Sequence, residues 1–178
     1  MHQGIIRVDV ELDPTERELN PQVTRLGDAL QREHDQVTYL GFPEGRNSSI
    51  RMRYNVPPSG LPNNPALKLR AAVMGRANGP LAEMTMSYYR IPRVHPVGGT
   101  EITQADTSIT FDVVTPSTDT GAGATLQEDH VIEVESDSFT IEAGDTVFVT
   151  LSRSSTATPV FQADIGIIRI GGVIIPGD

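Results

Sequence analysis

The residue types that most often carry chemistry are present, but their spacing matches no catalytic or metal-binding motif. Ser152-Arg153-Ser154-Ser155 lacks the glycine context of a nucleophile elbow. Gly121-Ala122-Gly123 is not followed by a helix pattern, which a dinucleotide-binding fingerprint requires. The histidines stand at neither helical nor strand spacing from one another: His2, His34, His95 and His130. We therefore expect no catalytic residue, no metal and no cofactor, and we interpret the chain as a non-enzyme.

One acidic cluster could hold a hard cation. Glu133, Glu135 and Asp137 share one face of a predicted strand, and Glu128-Asp129 precede them. Calcium takes several carboxylate oxygens, so a calcium site is conceivable. The alternative, which we favour, is a solvated outer face whose charges discourage edge-to-edge aggregation of the sheet.

Composition excludes several classes of protein. The chain of 178 residues has no cysteine, which excludes disulfide frameworks, zinc fingers and thiol catalysis. Its net charge of −9 argues against duplex DNA as a partner, and 5% aromatic residues weaken carbohydrate and single-stranded nucleic-acid binding. No apolar run approaches the ~20 residues that span a bilayer. We expect no nucleic acid and no membrane as partners.

The charge is unevenly distributed along the chain. Residues 46–93 hold 7 Arg and 1 Lys against a single acid, whereas the flanking segments are acidic. Either folding interleaves these charges, or the subunit has basic and acidic edges suited to docking on neighbours.

Alternation of apolar and polar residues predicts strands throughout residues 46–178. Ile50, Met52 and Tyr54 alternate with Arg51 and Arg53, for example, which gives one strand a basic face. This pattern predicts an all-β, two-sheet, jelly-roll-like sandwich of about eight strands. The predicted strands are residues 49–55, 66–74, 82–91, 108–114, 126–136, 138–142, 145–153 and 162–175, the last divided by a Gly-Gly pair.

Residues 1–45 are predicted to form an N-terminal arm ahead of the sandwich. Residues 3–12 alternate as a strand, and Asn20-Pro21 is a good helix start. Val23, Leu26, Ala29 and Leu30 then form one apolar stripe, which predicts a short helix over about residues 21–33. The arm either packs on its own domain or reaches a neighbouring subunit.

The C-terminal strands resemble a known kind of module. The segments are residues 139–141 (FTI), 143–149 (AGDTVFV), 151–153 (LSR) and 163–168 (ADIGII). Together they resemble the closing strands of small jelly-roll modules in structural proteins of tailed bacteriophages. The resemblance implies a virion component that forms homotrimers and binds the major capsid protein or other virion proteins.

Two roles follow from that resemblance. The chain has no fibre shaft, collagen-like repeat or heptad tract, which favours a capsid decoration (cement) protein on the capsid surface. The alternative is a tail or fibre module, with loops 56–65 and 115–125 as its receptor contacts. An enzyme of cupin or lyase type remains a third, less favoured alternative. The predicted interface residues are Ile5, Ile6, Arg7, Val23, Leu26, Leu30, Arg51, Arg53, Lys68, Arg70, Tyr88 and Tyr89.

Overall fold

A computed structural model describes residues 15–80, 84–95, 97–99, 111–113, 125–153 and 163–178. Over these residues the chain is built from strands and turns, with no helix. The strands are β1 Arg17–Leu19, β2 Gln22–Gly27, β3 Leu30–His34, β4 Val37–Phe42, β5 Ser48–Asn55, β6 Pro65–Gly75, β7 Gly79–Pro80, β8 Met84–Ile91, β9 Phe111–Val113, β10 Thr125–Leu126, β11 Val131–Ser136, β12 Phe139–Thr140, β13 Thr146–Arg153 and β14 Ile165–Pro176.

The strands form two antiparallel sheets, and the predicted jelly-roll-like sandwich is confirmed. The larger sheet has eight strands, with the path β3-β4-β14-β6-β11-β9 and with β1 and β12 paired to β14 and β6. The smaller sheet has four strands in the order β2-β5-β13-β8. Strands β10 and β7 form a separate two-stranded ladder. The last strand is continuous through Gly171 and Gly172, although the sequence predicted a break there.

The core lies between the two sheets and is built mainly from the inward-facing side chains of four strands. Full burial of one such aliphatic side chain contributes about 1.5–3 kcal/mol to folding. The facing rows are Ile50, Met52 and Tyr54 on β5, Val147, Val149 and Leu151 on β13, Leu67, Leu69, Ala71 and Val73 on β6, and Ile167, Ile170 and Ile174 on β14.

Gly172 allows the largest of these core side chains to cross the gap between the sheets. The Tyr54 ring is fully buried, and a Cβ atom at position 172 would lie 2.8 Å from its Cε1 atom. The glycine in β14 is therefore required by close packing between the sheets.

The helix predicted over residues 21–33 is wrong, and a β-bulge explains why. Val23 pairs with Met52 and Leu26 pairs with Ile50, so positions three apart on β2 face positions two apart on β5. The extra residue of a bulge places both apolar side chains on the inner face. Their helix-like spacing of three therefore arises in a strand.

The predicted arm is part of the sandwich from residue 17 onward. Strand β1 pairs with β14 and β4 pairs with β14 in the larger sheet, whereas β2 pairs with β5 in the smaller sheet. The boundary placed at residue 45 therefore does not separate two structural units. The strand predicted over residues 3–12 lies outside the described residues.

Candidate functional site

The structure offers no metal centre in the part of the chain that it describes, because no three acidic or histidine side chains form a group suited to an ion. No helix among the described residues is long and apolar enough to span a membrane. The informative surfaces are the outer faces of the two sheets. Alternation along each strand directs polar side chains to these faces, opposite to the core.

The outer face of the eight-stranded sheet carries charges that neutralise one another. Arg70 of β6 lies directly opposite Glu135 of β11, and its Nη2 atom is 3.0 Å from Glu135 Oε2. Lys68 Nζ is 2.9 Å from the same carboxylate oxygen. Arg169 Nη2 lies 2.7 Å from Glu133 Oε1. We call these five residues the ion-paired face.

The outer face of the four-stranded sheet carries a different set of side chains. Arg25 comes from β2, Arg51 and Arg53 from β5, Phe148 from β13 and Tyr89 from β8. They point outward because their strand neighbours on β5, β8 and β13 alternate into the core, and the β2 bulge keeps Arg25 in register with Arg51. We call these five residues the arginine face.

The guanidinium groups of this face contact neutral partners. Arg51 Nε donates to Thr150 Oγ1 at 3.4 Å, and Arg53 Nε donates to Asn55 Oδ1 at 3.2 Å. The Arg53 guanidinium carbon also lies 6.0 Å from the centre of the Phe148 ring, the outer limit of a cation–π contact. None of the three arginines forms an ion pair with another described residue.

The register places like charges against each other on the arginine face. Arg25 is the cross-strand partner of Arg51, and Arg53 lies two residues further along β5. Like charges directly opposite in a sheet destabilise it. The arrangement therefore lowers the stability of the sheet and leaves positive charge on this face that no described residue neutralises.

A surface groove of about 580 Å³ crosses the arginine face. Four neighbouring strands line the groove. Strands β2 and β5 contribute Thr24, Arg25 and Arg51. Strands β13 and β8 contribute Phe148, Tyr89 and Ile91. The groove thus combines two arginines with three apolar or aromatic side chains, and Arg51 reaches across to Thr150 of β13.

A second, larger groove of about 870 Å³ has its lining arginine already paired. In its lining Tyr88 stacks on Phe139, with ring centres 3.8 Å apart. Arg90, also in the lining, lies 2.7 Å from both Glu142 Oε1 and Asp145 Oδ2. Since these partners neutralise Arg90, the groove has less capacity for an anion than the arginine face.

Asp145 itself is buried, with 1% of its surface exposed. Burial raises the pKa of its carboxyl group above the ordinary value of 3.8. The backbone N–H of Glu142 donates to Asp145 Oδ2 at 2.8 Å and, like Arg90, opposes that rise. This cluster fixes the turn before β13, and we assign it a structural role.

Comparisons with known proteins found distant structural likenesses. No protein-family model and no curated protein matches the chain. Among solved structures, it is similar to the CBM22-1 xylan-binding domain from Paenibacillus barcinonensis Xyn10C, at 10% identity and a TM-score of 0.34, covering 92% of this chain and 87% of that one. It is also similar to the Agl-KA catalytic domain, at 12% identity and a TM-score of 0.35, covering 97% of this chain and 30% of that one.

A third similar structure is a mutant of the family 29 carbohydrate-binding module CBM29-2, at 11% identity and a TM-score of 0.20. The match covers 88% of this chain and 96% of that chain. Likenesses this distant carry no argument about ligand or activity.

The structure divides the predicted interface residues among several environments. Arg51, Arg53 and Tyr89 come together on the arginine face. Lys68 and Arg70 belong to the ion-paired face, and Val23, Leu26 and Tyr88 pack against the core. Leu30 lies on β3 with 44% of its surface exposed. The remaining predicted residues lie outside the described ones: Ile5, Ile6 and Arg7.

Two members of the arginine face were absent from the prediction. Phe148 alternates with the core residues Val147 and Val149, so its outward position was readable in the sequence. Arg25 was missed because the sequence predicted a helix there, whereas the bulge in strand β2 is what brings Arg25 beside Arg51.

Proposed function

We propose that this protein is a non-enzymatic structural protein of a bacteriophage virion, namely a capsid decoration (cement) protein. It attaches to capsid subunits through the arginine face. The observation that carries the proposal is a surface of three arginines, without ion pairs among the described residues, on a chain whose net charge is −9. The virion setting is supported by the resemblance of the C-terminal strands to phage jelly-roll modules.

Attachment by this face is electrostatic and multivalent. Exposed arginines accelerate encounter with an acidic surface and orient the two partners. A homotrimer presents three such faces, so contacts that are individually weak add up to tight attachment when all three engage. Bridging neighbouring capsid subunits in this way stabilises the shell mechanically.

Gold labelling of intact particles with an antibody to this protein tests the proposal. We expect label spread over the head, and we expect particles without the protein to release their contents at lower temperature. Label confined to the tail, or equal thermal stability with and without the protein, would contradict the decoration role.

A tail or fibre module is the second candidate. The neighbouring rings of Tyr89 and Phe148 favour it, because aromatic and cationic side chains on one sheet face also suit an acidic receptor. Label at the tail tip, together with binding of the protein to host cells, would select this candidate.

A further inference from the structure

The segment between β6 and β7 contains the one asparagine of the chain that precedes a glycine, since Asn78 is followed by Gly79. The other asparagines precede bulkier residues or proline: Asn20, Asn47, Asn55, Asn63 and Asn64. Glycine has no Cβ atom to shield its backbone nitrogen, and its backbone is the freest of all residues. The Gly79 nitrogen is therefore the least hindered nucleophile beside any asparagine amide of this chain.

The side-chain amide of Asn78 is held by a backbone donor from a distant part of the sequence. Its Oδ1 atom accepts a hydrogen bond of 2.8 Å from the backbone N–H of Glu128. A backbone donor at this distance stabilises negative charge on a carbonyl oxygen, as the donors of an oxyanion hole do. The hydrogen bond therefore polarises the Asn78 amide and favours nucleophilic attack on its Cγ atom.

The surroundings leave this amide accessible and its neighbour loosely held. Asn78 is exposed to solvent, and Gly79 is partly exposed. Gly79 belongs to β7, which forms two residue pairs with β10. A ladder this short has few hydrogen bonds to lose and opens at small cost in free energy. Both water and the Gly79 nitrogen can therefore reach the Asn78 side chain.

We propose that Asn78 is a site of spontaneous deamidation and isomerisation. The Gly79 nitrogen attacks Asn78 Cγ, and the side-chain nitrogen leaves as ammonia, which regains through solvent the proton that Gly79 loses. The product is a cyclic succinimide, and water opens it at either carbonyl to leave aspartate or isoaspartate. Overall one water is consumed and one ammonia released, without oxidant or reductant. The site is independent of the proposed function.

The two products have different effects on the adjoining strands. Aspartate retains a side-chain oxygen that accepts the N–H of Glu128. Isoaspartate places an additional methylene in the main chain, which shifts Gly79 relative to Leu126, its partner on β10. Because Leu126 is fully buried in the core, we expect isoaspartate, but not aspartate, to destabilise this part of the sandwich.

Peptide mapping by mass spectrometry of the folded full chain, aged at mildly alkaline pH, tests the inference. We expect conversion at Asn78 to be at least about tenfold faster than at Asn47, because only glycine leaves the following nitrogen unshielded. Asn47 is a fair control because it is also exposed, immediately before β5. Gly79→Ala should slow the conversion at least about fivefold, since the extended backbone of β7 admits alanine whereas its methyl group hinders the nitrogen.

Product analysis tests the structural consequence. Labelling with an isoaspartyl methyltransferase distinguishes the two products, which ion-exchange chromatography separates from the unmodified chain. Asn78→Asp is expected to keep the wild-type midpoint of urea unfolding, whereas the isoaspartate form should unfold at lower urea. Equal midpoints of these two forms would overturn the assigned effect on β10.

Three results would overturn the site itself. They are conversion at Asn78 no faster than at Asn47, a rate unchanged by Gly79→Ala, and conversion that occurs only after unfolding in urea. In the last case the hydrogen bond to Asn78 would protect the amide instead of activating it. None of these results bears on particle binding, which tests the proposed function separately.

Discussion

The two outer faces of the sandwich arise from the same strand alternation but treat charge in opposite ways. On the ion-paired face, Arg70 lies opposite Glu135 in register, and Lys68 shares that carboxylate. On the arginine face, Arg25 lies opposite Arg51. Complementary charges in register serve the stability of the sheet, whereas like charges in register oppose it. Under the proposed function, one face maintains the fold and the other binds a partner.

Burial sharpens this difference. Arg70 is only 5% exposed, so its charge depends on Glu135 and on Glu16, whose Oε1 atom is 3.6 Å away. Arg25 and Arg51 are exposed and remain hydrated without an ionic partner among the described residues. Removing a partner is therefore costly on the ion-paired face, and removing a charge is not costly on the arginine face.

Glu135→Ala is expected to have the largest effect on folding. It leaves a buried guanidinium group with one distant carboxylate and deprives Lys68 of its partner, which should lower the free energy of unfolding by about 3 kcal/mol. Urea denaturation measures the change, with the exposed Glu44→Ala as control. If Glu135→Ala lowers the free energy of unfolding no more than Glu44→Ala does, the ion-paired face does not stabilise the fold as assigned.

Salt should affect particle binding far more than folding. The Debye length falls from about 10 Å at 0.1 M to about 3 Å at 1 M salt, which screens the exposed arginines from an acidic partner. We expect affinity for particles to fall at least about tenfold over this range, as measured by co-sedimentation. Affinity that is unchanged at 1 M salt would rule out the arginine face as the source of attachment.

Asp145 provides a buried carboxylate in the turn before β13. Its pKa is raised by burial, so the folded state binds its proton more tightly than the unfolded state. Stability contributed by this group is present below the unfolded pKa of 3.8 and is lost as pH rises through the folded pKa. Asp145→Asn should reduce this fall in the free energy of unfolding as pH rises between the two pKa values, as measured by urea denaturation at a series of pH values. The exposed Asp137→Asn should show the same fall as the wild type.

Arg25→Gln is expected to have the smallest effect, and of the opposite sign. Removing the cross-strand like charge should raise the free energy of unfolding by about 0.3 kcal/mol. Thermal unfolding at low salt measures the gain, and Arg46→Gln serves as control because Arg46 opposes no arginine in the sheets. Destabilisation by Arg25→Gln would show that the two arginines do not repel each other.

Local alternation was sufficient to predict most of the strands. The strands predicted over residues 49–55 and 145–153 agree with β5 and β13 to within one residue at each end. The outward direction of Arg51 and Arg53 follows from the same pattern, because Ile50, Met52 and Tyr54 must enter the core. Period-two patterning therefore predicted two members of the arginine face.

Features that depend on distant pairing were not predictable from the sequence. The bulge in β2 exists only because β2 pairs with β5, and it made a strand resemble a helix. Similarly, the neutralisation of Lys68 and Arg70 depends on Glu135, which is more than 60 residues away in the chain. A single sequence shows which face a side chain takes but not which charge will lie opposite.

The most direct test of the central claim is co-sedimentation of the protein with particles that lack it, using charge reversal on and off the arginine face. We predict that Arg51→Glu/Arg53→Glu weakens particle binding at least about tenfold while the free energy of unfolding stays within about 0.5 kcal/mol of wild type. Arg46→Glu should bind as wild type does. Wild-type binding by the double variant, with its fold intact, would contradict the assignment of the arginine face as the attachment surface.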